Sequence, residues 1–272
     1  MNILALLSIL ISLCLRADAA WQPYAANFYS AEKRDVAPYV QKISEAYYEM
    51  GAFAPGGKPH QISFSYRIAP NARILGMTAV QNYNADNRGM CTRMIALNGP
   101  IRYPNHPFYG TPIWFGTLAH EVGHVYQGAG CMNADFMVET GAEIAMYLVM
   151  SNMANKGDEV AQAGLVFEFR RGVILATMDL LNKAYEAGTS PLITPQELLD
   201  QLQLTSKEKD YFNYYVRNPG SLRKGNIYWT DSIQKIINEA FDGDGSFCNL
   251  SFGGDPCFDG TILVRFVKGL LN

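Results

Sequence analysis

LAHEVGHVYQ, residues 118–127, is the stretch on which the fold turns. Leu118, Val122 and Val125 recur at i, i+4 and i+7, the spacing of a helix with one buried stripe, and Gly128 and Gly130 end the run. Upstream the pattern differs. QISFSYRI (61–68), ILGMTAVQNY (74–83) and MCTRMIALN (90–98) are rich in β-branched and aromatic residues and bounded by Asn, Gly and Pro, which predicts strands of one sheet. Before them, AEKRDVAPYVQKISEAYYEM (31–50) sets Val36, Tyr39, Val40, Ile43 and Tyr47 at helical spacing, with Pro38 in an early turn. Downstream, helices are expected at about 135–153, 159–186, 195–203, 206–216 and 229–241. Sheet first and helices after is an α+β order: a small mixed β-sheet in a part spanning about 20–128, then a mainly helical part over about 129–272.

The 272 residues are 49% hydrophobic and 17% charged, enough apolar material for a substantial core. A net charge of -3 supplies no broad basic surface, which argues against nucleic acid or an anionic membrane as partner. The chain opens on an apolar run, Ile3 to Leu15, followed by Ala17, Asp18 and Ala19, a small-x-small cleavage site. That predicts a signal peptide over 1–19, a mature chain of 20–272 and secretion. The apolar run falls short of the roughly 20 residues that span a bilayer. Cys91, Cys131, Cys248 and Cys257 then remain, an even number in an oxidising compartment. The short Cys248 to Cys257 loop makes that pair the expected disulfide, leaving Cys91 with Cys131.

His120 and His124 project from one helix face because four residues advance about 400°, so both imidazoles can reach one tetrahedral ion. Glu121 lies one residue round, off the axis for ligation yet placed to act as general base on a water at that ion. The chain has four histidines, and composition alone gives this H-E-x-x-H pattern odds on the order of 0.3%. Two histidines leave a catalytic zinc one protein ligand short. DFMVETGAEIAMYL (135–148) offers Glu139 and Glu143 at i and i+4, and two carboxylates on one face of an apolar helix are unfavourable without a cation. An exposed acidic face is the other reading of that pair.

HEVGH followed by ETGAE resembles the gluzincin clan of zinc metallopeptidases. The resemblance implies a zincin-like fold, a bound Zn²⁺ and hydrolysis of peptide or protein substrates by a monomeric enzyme. It implies Glu139 as the third ligand, Ala142 as the small residue that lets two helices approach, and Glu143 as a carboxylate orienting His120. Glu143 as the ligand is the alternative. HEVGHVYQ, with Gln127 three past the second histidine, is also similar to enhancin-like, mucin-degrading peptidases and to plant-type basic secretory proteins, over residues 114–150.

Gluzincins often stabilise the oxyanion with His or Tyr. No histidine follows His124, so a downstream donor is Tyr or Arg: Tyr211, Tyr214, Tyr215, Arg217 and Tyr228 are open candidates. His60 and His106 lie in Pro-containing turns and read as surface residues. MCTRMIALN is the expected edge strand for an extended peptide, and NGPIRYPNHPFYG (98–110) the expected cleft wall. Asp242, Asp244 and Ser246 alternate as in a calcium loop, but Phe247 and Gly253 stand where an EF-hand needs Gly and Glu, so a disulfide-closed turn accounts for them better. The rival to an enzyme is a non-catalytic secreted binding protein or effector on the same scaffold.

Overall fold

The protein is described here by a computed structural model covering residues 37–52, 61–66, 75–82, 92–97, 111–127, 138–220, 227–248, 250 and 257–271. The amino-terminal segment, His60, His106, the 98–110 stretch, Cys91 and Cys131 lie outside the described residues. In chain order the elements are α1 (Ala37–Glu49), β1 (Gln61–Tyr66), β2 (Gly76–Asn82), β3 (Thr92–Leu97), α2 (Ile113–Gln127), α3 (Val138–Asn155) and α4 (Glu159–Glu186). There follow α5 (Pro195–Gln201), α6 (Ser206–Arg217), α7 (Ile227–Phe241), β4 (Ser246–Phe247), β5 (Phe258–Asp259) and α8 (Thr261–Leu271). The architecture is α+β, with the three-stranded sheet ahead of every described helix but α1, as expected.

The first three strands form one mixed sheet in the order β1-β3-β2. β1 runs parallel to β3, with Gln61 opposite Thr92, and β2 runs antiparallel, with Gly76 opposite Leu97 and an irregularity between Val80 and Asn82. This corrects the expected edge: β3, inside MCTRMIALN, is central, and among the described residues the edges are β1 and β2. Ile95 and Leu97 are almost wholly buried, as befits a strand paired on both sides.

Helix α2 also departs from expectation. It is buried on nearly every side, His120 alone being partly exposed beyond the buried range. IWFGTLAHEVGHVYQ carries apolar residues all round, and such a helix belongs in an interior. α2 has β2 and β3 against it, together with α1, α3 and α4. Tyr39 meets Trp114 edge to face at 5.2 Å, and the Tyr47 hydroxyl donates to the Ala119 carbonyl at 2.9 Å, fastening α1 to α2.

The helical part is punctuated by side-chain caps. Asp158 accepts the Ala161 N–H at the start of α4, a 28-residue helix about 42 Å long. Thr194 and Thr205 form reciprocal capping boxes with Glu197 and Glu208 at the starts of α5 and α6. The sequence reading lacks α8, although Leu263, Val264 and Val267 bury one face of it. The short β4–β5 pair is closed by the Cys248–Cys257 disulfide, as expected, and Asp244 there accepts the Ser246 N–H. No described helix is long and apolar enough to cross a membrane.

Candidate metal centre

Close approach of α2 and α3 builds the site. A Cβ on Gly123 would lie 3.7 Å from the Ala142 Cα, so two small residues meet where the helices pass. Ala142 itself is fully buried. The same Cβ would fall 2.8 Å from the Tyr47 hydroxyl, leaving little room for a larger residue at 123.

Three ligand atoms converge across this contact. His120 Nε2 lies 3.0 Å from His124 Nε2 and 3.1 Å from Glu139 Oε2, and His124 Nε2 lies 3.4 Å from the same oxygen. These atoms form a group able to hold a metal ion. Zinc–ligand bonds of about 2.0–2.2 Å in a tetrahedron place neighbouring ligand atoms about 3.3 Å apart, close to the spacings found.

The other ring nitrogens are already engaged. His120 Nδ1 donates to Glu143 Oε2 at 3.0 Å, and His124 Nδ1 donates to Gln127 Oε1 at 3.0 Å. Gln127 is turned that way because its Nε2 donates to the Leu250 carbonyl at 3.5 Å. A carboxylate only accepts, so Glu143 fixes the Nδ1–H tautomer of His120 and leaves the Nε2 lone pair for the cluster. Gln127 does the same for His124. Two lone pairs and a carboxylate oxygen at about 3 Å repel unless a cation or proton sits among them. The donor set therefore fits a divalent ion.

The electrostatics carry the same message. Burial works to lower the His120 pKa, but hydrogen bonds with Glu139 and Glu143 raise it well above its usual value. Burial works to raise the Glu139 carboxyl, yet the hydrogen bonds from both histidines hold it well below the carboxylate range. Glu139 is the open side of the cluster: its side chain is 40% exposed, against 12% and 11% for the two imidazoles.

No family model, curated protein or solved structure matches this chain.

Glu121, buried next to His120, faces the sheet. A Cβ on Gly76, the first residue of β2, would lie 2.8 Å from Glu121 Oε1 and 2.7 Å from Thr117 Cγ2. Glycine thus lets an edge strand lie directly over the Glu121 carboxylate.

The structure brings His120, His124, Glu139 and Glu143 together, with Glu121 alongside. Tyr211 and Tyr215 meet each other on α6, hydroxyl to hydroxyl at 3.3 Å, and Tyr215 is in the core. Tyr214 packs against the same core, and Arg217 is exposed in the last turn of α6. The side chain of Tyr228 lies outside the described residues.

Behind the cluster is a buried polar group that the sequence reading does not contain. The Tyr147 hydroxyl donates to Glu143 Oε1 (3.3 Å) and to the Glu168 carbonyl (3.0 Å). Glu168, wholly buried beside Gly116, pairs with Arg171 through Oε2 at 2.7 and 2.6 Å. Burial pushes the Glu168 carboxyl up to about 7 against the pull of Arg171. The Arg171 guanidinium lies over the Trp229 ring at 5.2 Å.

Proposed function

We propose that this chain is a secreted zinc metallopeptidase of gluzincin type, with a zincin-like arrangement of sheet and site helix. Zn²⁺ is held by His120, His124 and Glu139. The observation that carries this reading is the meeting of three potential ligand atoms within 3.4 Å of one another, with both Nδ1 atoms engaged elsewhere.

Zinc bound there supplies a Lewis acid that polarises a scissile carbonyl and makes water a better nucleophile at neutral pH. The protein's own residues do the rest. Glu121, one residue round from His120 and shielded from bulk water, takes the proton from the attacking water at its carboxylate and passes it to the leaving amine. Glu143 and Gln127 hold the imidazoles in the tautomer that points both lone pairs one way. The expected role of the edge strand passes to β2. Gly76 sets this strand over Glu121, so a peptide pairing along the side of β2 that carries no strand among the described residues runs past the general base.

The Cys248–Cys257 disulfide accords with an oxidising compartment. Against the rival binding protein, the deciding experiment is Glu121→Gln. It retains zinc and the fold but lowers peptide hydrolysis by orders of magnitude; undiminished hydrolysis removes Glu121 from its role.

A further inference from the structure

Glu139, Glu143 and Tyr147 follow one another at intervals of four on α3 and so share one face of an otherwise apolar helix. The line runs inward: Glu139 is partly exposed, Glu143 is 2% exposed and Tyr147 is wholly buried. Each group touches the next layer of the site. Glu139 meets both Nε2 atoms, Glu143 meets His120 Nδ1, and Tyr147 meets the second oxygen of Glu143.

Tyr147 has little freedom to leave this position. Its ring meets Phe169 edge to face at 5.8 Å. A Cβ on Gly172 of α4 would fall 2.7 Å from its hydroxyl oxygen, so the glycine makes the pocket in which that oxygen sits. Burial, then the charge of Glu143, raises its pKa well above the usual value, so the group remains a donor. Its hydroxyl lies within hydrogen-bonding distance of both Glu143 Oε1 and the Glu168 carbonyl.

We propose that Tyr147 is a positioning residue for the metal centre: its hydroxyl locks Glu143 so that the other carboxylate oxygen stays on His120 Nδ1, which aims the Nε2 lone pair at the ion. This rests on reading the cluster as a metal site. The bond to Glu143 leaves that carboxylate no free oxygen, since one is committed to His120 and the other to Tyr147. Without the hydroxyl, Glu143 keeps one tether and can rotate about its terminal torsion.

Two measurements test this. The first is Zn²⁺ affinity by competition with a chromophoric chelator, for wild type, Tyr147→Phe, Glu143→Ala and the double variant. Tyr126→Phe serves as control, since it also removes a buried hydroxyl that donates to a carbonyl. Tyr147→Phe weakens zinc binding about tenfold, the lower end for groups bonded behind metal ligands. In the Glu143→Ala background the same change costs less than about twofold, because the two act in one chain. Tyr126→Phe leaves affinity unchanged.

The second measurement is ¹⁵N-histidine NMR of the metal-free protein, readable because the chain has four histidines. The His120 Nδ1–H signal, identified by its loss in Glu143→Ala, exchanges faster with water in Tyr147→Phe. Equal zinc affinity and equal exchange in Tyr147→Phe and wild type overturn the proposal, as does an equal loss of affinity in both Glu143 backgrounds. If the wild type takes up no zinc, the metal reading falls, and the NMR comparison alone decides whether Tyr147 governs His120.

Discussion

Gly76 and Glu121 are in contact across the boundary between sheet and helix, so close that one methyl group on Gly76 would lie 2.8 Å from the carboxylate oxygen. Gly76→Ala therefore acts on the proposed general base without touching a metal ligand. Displacement by about 1 Å can cost about 10²-fold in rate. Peptide hydrolysis by Gly76→Ala falls by that order while zinc content stays at the wild-type level. Steady-state kinetics beside metal analysis checks both, and loss of zinc together with activity counts against the assignment.

Glu139 and Glu143 separate by their metal content. Glu139 Oε2 lies at the Nε2 atoms and Glu143 Oε2 at Nδ1 of His120, so Glu139→Ala abolishes stoichiometric zinc, whereas Glu143→Ala weakens affinity by about 10–100-fold. Metal analysis of the purified variants decides. Loss of zinc in Glu143→Ala alone reverses the two roles.

Ala142→Leu should drive α2 and α3 apart, because Ala142 is fully buried where Gly123 approaches it. Overpacking of this kind costs about 1–3 kcal/mol. The expected result is a lower urea midpoint together with weakened zinc binding, since the two histidines and Glu139 stand on opposite sides of that contact. Retained zinc affinity in a destabilised variant separates the helix contact from the site.

Glu168 sets a pH dependence of stability. Its folded-state pKa is raised to about 7 by burial, above its ordinary carboxylate value of 4.5. The folded state then binds more protons than the unfolded one between those values, so stability falls as pH rises through this window and is lowest above it. The difference amounts to up to about 3 kcal/mol. Urea midpoints from pH 4 to 8 should decline in wild type and decline less in Glu168→Gln, where the raised His120 pKa still contributes; identical slopes remove Glu168 as a cause.

Much of this was legible along the chain, and the exceptions share a cause. The bounds of α4, 159–186, match expectation because caps and apolar period are local signals. The histidine pair was legible for the same reason, since helical spacing alone brings the two side chains to one face; Glu139 stands on another helix, and only the resemblance set it ahead of Glu143. Strand order was not: periodicity identifies β1, β2 and β3 but says nothing of which is central, and here two consecutive strands are not neighbours. The burial of α2 on nearly every side depends on five surrounding elements, β2, β3, α1, α3 and α4. Tyr147, Glu168 and Arg171 sit on helices whose sequences read as apolar or surface-charged, and Glu168 and Arg171 at i and i+3 look like an ordinary exposed pair. The packing of α4 against α2, α3 and α7 makes them interior.

A helix buried on nearly every side meets its ligand partners across its packed neighbours. The imidazoles of α2 are held in place by the sheet, α1, α3 and α4 around it. On the proposed reading the packed fold supplies the ion's ligands ready placed, the reverse of small zinc modules in which the ion organises the chain. A chelator should therefore yield an inactive but fully assembled protein, ready to regain activity on contact with the ion and without a refolding lag.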